Sequence, residues 1–111
     1  MSVRFAPPSK VKATVTVYQE NGTARSYTLD RPGYTIGKQD DCLIKTSGLM
    51  APAVSANLIR QGSDYLLSAV RKGEVLVNGE PIEKVCRLDN GDVFEVRKLR
   101  IRYQTEIVIE S

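Results

Sequence analysis

Apolar residues along this chain recur at every second position rather than at every third or fourth. In "VKATVTVYQ", apolar Val11, Ala13, Val15 and Val17 alternate with Lys12, Thr14, Thr16 and Tyr18, the pattern of a strand with one buried face. Glu20-Asn21-Gly22 turns the chain back, "TARSYTLD" follows as the hairpin partner, and Arg31-Pro32-Gly33 marks a further turn before "YTIGK" restarts an extended run at Tyr34. "DCLI" from Asp41 reads as a short strand, and Lys45 to Pro52 reads as a loop. Beyond it, "SANLIRQ", "DYLLSAV", "EVLVN" and "PIEKVCRL" are extended pieces broken at Gly62-Ser63 and Lys72-Gly73, with Asn78-Gly79 as a hairpin turn. Asn90-Gly91 turns again. "VFEV" and "LRIRYQTEIVIE" then alternate apolar and charged residues, and the phase slips at Arg97-Lys98, where a tight reversal is expected. Short strands with turn signals about every 8–12 residues predict an all-β sandwich or barrel.

At 111 residues the chain is long enough for one core without a metal or disulfide staple. The expected organisation is an N-terminal tail over residues 1–10, marked by Pro7-Pro8, one domain over 11–106, and a last strand or the start of a connection over 107–111. A net charge of +3 is too small and too scattered to announce an electrostatic nucleic-acid binder. Cys42 and Cys86 have no CxxC spacing and no secretory signal ahead of them, so they read as free thiols of a cytoplasmic protein. No apolar run approaches the roughly 18 residues of a membrane span, which leaves no membrane insertion within this chain.

With no histidine, a Ser-His-Asp or Cys-His system and a HExxH zinc site are excluded. The carboxylate pairs Asp40-Asp41 and Asp89 with Asp92 sit in turn contexts, where Asp caps and bends the backbone. The run from Asp89 to Asp92 lacks the spaced ligands and distal Glu of a calcium loop. Neither GxGxxG nor GxxxxGK[ST] occurs. The chemistry therefore offers no catalytic residue, no metal site and no cofactor, and points away from an enzyme.

Two families use a turn like "VLVNGEPI", running from Val75 to Ile82. The stretch "AVSANLIRQG", drawn as a helical turn with a glycine cap, leads into "GEVLVNG" and "NGDVFEV" in a way that resembles the S-four type RNA-binding domain, over the second half of the chain only. From about Tyr27 to Tyr103 the chain resembles a forkhead-associated domain. "YTIGKQDDC" is similar to that family's strand leading into Gly-Arg, "APAVSANL" falls where the family has Ser-Arg-x-His-Ala, and "VLVNGEPI" and "RLDNGDVFEV" match its closing strands and turns. The resemblance implies a two-sheet antiparallel β-sandwich of forkhead-associated type and a protein-interaction module. It also implies that Asn78 and Gly79 form a structural turn.

In that family a phosphothreonine is held by the Arg after the first Gly, by the Ser of Ser-Arg-x-His, and by an Asn reading the peptide backbone. Here those places are taken by Lys38, Pro52 and Gly73, and the family's structural His is replaced by Ser55. Lys keeps the charge of Arg without its planar fork, and Pro offers neither hydroxyl nor amide hydrogen. Hydrogen bonds to a charged group contribute about 1.5–3 kcal/mol each, so phosphopeptide binding is expected to be weak or absent. The partner-binding loops are expected to carry Lys38, Lys45, Ser47, Ser55, Arg71 and Lys72, and the partner to be a protein or peptide, acidic and bound independently of phosphothreonine. A phosphopeptide domain using substituted residues is the alternative within the fold. The basic stripe Arg97, Lys98, Arg100 and Arg102 reads as a solvated face rather than a nucleic-acid surface.

Overall fold

A computed structural model describes residues 9–48 and 50–109. The strands are β1 (Ser9–Tyr18), β2 (Ala24–Leu29), β3 (Gly33–Gly37), β4 (Ile44–Lys45), β5 (Ala56–Gln61), β6 (Asp64–Ala69), β7 (Val75–Val77), β8 (Glu80–Pro81), β9 (Val85–Arg87), β10 (Val93–Val96) and β11 (Leu99–Ile109). A six-stranded sheet runs β2-β1-β11-β10-β7-β8 and a five-stranded sheet runs β4-β3-β5-β6-β9. The two-residue alternation thus produces a two-sheet sandwich, as the sequence predicts, with no helix among the described residues. Strand pairing is antiparallel apart from β3 with β4, which is parallel because the chain between them makes a crossover rather than a hairpin.

The buried positions follow the alternation. Ala13, Val15 and Val17 of β1 are buried, and their register partners are Thr105, Tyr103 and Ile101 of β11. Phe94, Val96 and Val75 extend this layer, while Ile36, Ile44, Ala56, Leu58, Tyr65 and Leu67 supply the opposing one. Each buried aliphatic or aromatic side chain contributes about 1.5–3 kcal/mol. Tyr65 stacks obliquely against Tyr34 at 6.3 Å and edge-on against Tyr103 at 6.5 Å. Its hydroxyl donates to the Arg31 carbonyl at 2.7 Å, so the ring is buried while its polar end is satisfied.

Two details differ from the sequence expectation. Residues 41–43 form a turn and the strand falls on Ile44–Lys45, because Cys42 donates its amide back to the Gln39 carbonyl. "PIEKVCRL" is not one extended piece: β8 and β9 belong to different sheets, and the chain crosses between them at residues 82–84. Ala56–Gln61 forms strand β5, as the extended reading of "SANLIRQ" expects, and pairs with both β3 and β6, which excludes the helical turn of the rival resemblance. The proposed tail lies outside the described residues as far as residue 8, as do residues 110 and 111 at the other end; β1 begins at Ser9 and β11 reaches Ile109.

Asn78 and Gly79 have φ of 51° and 87°, the left-handed pair that a two-residue hairpin of this twist requires. The Asn78 side chain donates to Asp92 Oδ1 at 3.0 Å and accepts from the Val93 amide at 3.0 Å. Asp92 Oδ2 accepts from the Asp89 amide at 2.8 Å. The turn therefore fastens β7 and β8 to the start of β10; the Asp92 carboxylate holds the turn together, while that of Asp89 faces Arg87 at 3.9 Å.

Burial pushes the Tyr103 phenol from 10.0 up to about 12 and raises that of Tyr65. Because the folded value lies above the unfolded one, this stabilisation is complete below about pH 10 and is lost as pH rises towards 12. Thermal unfolding of Tyr103→Phe is expected to decline less steeply over that window than that of the parent chain. Parallel declines would contradict the assignment.

Candidate functional site

The two sheets bring several loops to one end of the sandwich, called the apex here. In the five-stranded sheet β3 ends, β5 begins and β6 ends at the same level, since Ile36 pairs with Ala56 and Ala56 with Ala69. In the other sheet Val75, Val96 and Leu99 stand together, and Tyr18 lies opposite Arg100. The β3–β4, β4–β5 and β6–β7 connections therefore leave from the end that also carries the β1–β2 and β10–β11 turns.

Gly37 sets how closely two of these loops approach. A Cβ at this position would lie 2.2 Å from the Ala53 carbonyl oxygen and 2.7 Å from the Val54 Cα. Only glycine admits that contact, because the obstructing atoms are backbone. The approach is sealed by the Lys38 amide donating to the Pro52 carbonyl at 3.3 Å, the Gln39 amide to Ala53 at 3.1 Å, and the Ser55 amide to Ile36 at 2.7 Å. The Val70 amide donates to the Ser55 carbonyl at 3.1 Å, which ties in the β6–β7 loop.

Lys38, Arg71 and Lys72 are exposed on this framework. Arg71 reaches the partly buried Glu74 at Oε1 over 3.9 Å, and Lys72 reaches Glu83 at 4.0 Å, a long contact between exposed groups that contributes little to stability. Lys45 pairs with Asp40 at 2.8 Å; that hydrogen bond raises the ammonium pKa and lowers that of the carboxyl. Ser47 is exposed, whereas Ser55 is wholly buried and its hydroxyl has no partner among the described residues. Ser55 thus offers no surface to a ligand, because the loop that carries it folds back beneath Gly37.

The basic stripe divides. Arg100 and Arg102 point outward from the six-stranded sheet while Ile101 and Tyr103 point inward, and Arg100 meets Glu95 at 3.4 Å. Arg97 instead belongs to the apex. It has φ of 55°, and its guanidinium lies 3.8 Å from Glu74 Oε1 with the side chain 28 % exposed. Arg71 and Arg97 therefore share one carboxylate, that of Glu74, which lies beside Arg97 where Val75 pairs with Val96. The sequence signal for Arg97 is a large charged residue at a reversal whose left-handed backbone favours Gly or Asn.

Lys38 and Pro52, which the sequence resemblance expects at the phosphate-binding places, are neighbours joined by a backbone hydrogen bond. Gly73, expected from the same resemblance at the peptide-reading place, has φ of 87° and no side chain to offer. No protein-family model matches the sequence, and no curated protein matches it. Solved structures do match. The chain is similar to the FHA domain of the CT664 protein from Chlamydia trachomatis, at 18 % identity and a TM-score of 0.73 over 84 % of this chain and 96 % of that one. It is similar to the FhaA FHA domain complexed with the intracellular domain of Rv3910, at 20 % identity and a TM-score of 0.69 over 83 % and 99 %. It is also similar to the yeast Dun1 FHA domain in complex with a doubly phosphorylated peptide derived from Rad53, at 12 % identity and a TM-score of 0.68 over 100 % and 86 %. The fold is that of the forkhead-associated domains.

Two substitutions test this framework by thermal denaturation. Gly37→Ala is expected to cost about 3 kcal/mol, the upper range for overpacking, since backbone rather than a flexible side chain must yield. Ser55→Ala removes a buried hydroxyl without a partner and is expected to raise stability by about 1 kcal/mol. A loss of similar size would show that the hydroxyl is engaged.

Proposed function

We propose that this chain is a non-enzymatic protein-interaction module of a cytoplasmic signalling protein, and that its apex binds an acidic partner segment without requiring phosphothreonine. The observation carrying this reading is the pairing of Lys38 with Pro52 at the apex, together with the bare Gly73. A cation stands there without the hydroxyl and amide donors that would define a phosphate cup. Lys38, Arg71 and Lys72 make a positive rim, and such a rim attracts carboxylates by charge rather than by directed bonds.

Neighbours of similar fold support a protein ligand. The FhaA domain is complexed with an intracellular domain and the Dun1 domain with a phosphorylated peptide. The RNA-binding reading required a helix in the second half, and β5 occupies that stretch. Pro52 and Gly73 together remove charge-assisted bonds contributing several kcal/mol out of the roughly 8 kcal/mol of a micromolar site.

Calorimetric titration with a degenerate phosphothreonine peptide library is expected to show no phosphate-dependent binding tighter than about 100 μM. The combined Pro52→Ser, Ala53→Arg and Gly73→Asn variant should bind that library more tightly; Asn tolerates the left-handed backbone at position 73 better than most residues. Micromolar binding by the unaltered chain that disappears on phosphatase treatment of the library would overturn the reading in favour of a phosphopeptide domain with substituted residues.

A further inference from the structure

At the end of the sandwich opposite the apex, β1 and β11 run on together beyond their neighbours. Their register extends from Tyr18 with Arg100 out to Ser9 with Ile109, whereas β2 pairs with β1 only from Ala13 onward and β10 pairs with β11 only as far as Arg102. Residues 9–12 and 106–109 therefore form a ribbon with no third strand among the described residues. A two-stranded ribbon alone in water is at best marginally stable. We propose that the free edge of β11 pairs with the same edge of a second copy of this chain, antiparallel and centred on Ile107, to give a two-fold symmetric dimer. The proposal stands apart from the reading of the apex as the partner-binding end.

Three observations carry it. The first is the direction of the backbone groups. The Tyr103 amide donates to the Asp92 carbonyl and the Tyr103 carbonyl accepts from the Gly91 amide, both at 2.8 Å, while the Thr105 amide donates to Asn90 Oδ1 at 2.9 Å. Backbone groups alternate in direction along a strand, so the amide and carbonyl of Ile107 point the same way, where no strand follows among the described residues. Two Ile107 residues facing each other across a two-fold axis exchange both N–H···O=C bonds. Asn90 already holds the Thr105 amide, so the β9–β10 connection ends the free edge there and frames the pairing to residues 105–109 of each copy. The second is the apolar face. Val11 and Ile107 are register partners on the side of the ribbon that continues the buried face of β1, yet they are 41 % and 71 % exposed. Self-pairing sets Ile107 beside Ile107 of the second copy, which makes one row of four branched aliphatic side chains, Val11 and Ile107 from each chain.

The third is what each edge allows. On the β1 edge the sequence places lysine at positions 10 and 12, and a β1–β1 pairing centred on Val11 sets these like charges opposite each other, which guards that edge. On β11, Glu106 meets Val108 of the second copy, so no like charges meet. Pairing β11 with the second copy's β1 is excluded by topology: antiparallel strands would then carry both sandwiches to the same end, where β10 of one and β2 of the other claim the same space. Pairing β11 with β11 sends the sandwiches to opposite ends and leaves both apexes facing outward. A contact over residues 105–109 is small beside the roughly 1,200 Å² at which stable interfaces begin, so the dimer is weak and depends on concentration.

The test is sedimentation equilibrium of the chain from about 10 μM to about 1 mM, with hydrogen exchange of the Ile107 amide followed over the same range. The average mass is expected to climb from that of one chain towards that of two, and the Ile107 amide to exchange about tenfold more slowly at the upper concentration. Ile107→Lys and Ile107→Glu each set like charges across the axis, so each variant alone should keep the mass of one chain, with the melting temperature of the dilute protein unchanged because the side chain is exposed. An equal mixture of the two variants should dimerise again, since Lys then faces Glu. A single-chain mass at every concentration would overturn the proposal, as would association that survives both variants or a mixture that stays monomeric. An Ile107 amide equally slow at both concentrations would show that the edge is covered within one chain, and a mass passing that of two chains would show a contact that does not close; either result also overturns it.

Discussion

The apex depends on one steric fact, the contact of Gly37 with the backbone of Ala53 and Val54, where a Cβ would come within 2.2 Å of a carbonyl oxygen. Because the two loops touch there, three amide hydrogen bonds form between the Lys38–Gln39 and Ile36 segments and the chain from Pro52 to Ser55. Ser55 is consequently buried, and the β6–β7 loop joins through the bond from Val70 to the Ser55 carbonyl. Loops fixed by a rigid sandwich can hold charged groups in place with little further ordering on binding.

The charges on this framework divide into two kinds. Lys38 and Lys72 are exposed, and the field they create is screened by salt over about 10 Å at 0.1 M. Arg97 is instead fixed by Glu74, a partly buried carboxylate beside it at the end of the six-stranded sheet, where a lower local dielectric strengthens the attraction. One kind suits the rate of encounter and the other suits retention.

Much of the fold was legible because burial in a sandwich writes itself as alternation. Ala13, Val15 and Val17 give the buried face of β1, whose alternation reaches the surface at Val11, and the Asn78-Gly79 and Asn90-Gly91 pairs give turns by backbone chemistry alone. Periodicity does not say which sheet a strand joins, so the crossing at residues 82–84 between β8 and β9 was hidden in the continuous run "PIEKVCRL". The apex was legible only in part. Lys38, Arg71 and Lys72 follow from loop position, but Ser55 was not separable from an exposed loop serine, because its burial follows from the long-range approach at Gly37. Arg97 was grouped with Arg100 and Arg102 by sequence adjacency, and only the reversal of the chain carries it to the other loops.

Under the proposed function, this sandwich of forkhead-associated fold recognises its partner by charge rather than by phosphothreonine. The most direct measurement is the equilibrium affinity of the chain for a partner captured from the extract of its own cells, determined before and after phosphatase treatment of that partner. An unchanged dissociation constant, weakening steadily as salt is added, is the predicted result. Loss of binding after phosphatase treatment would contradict it.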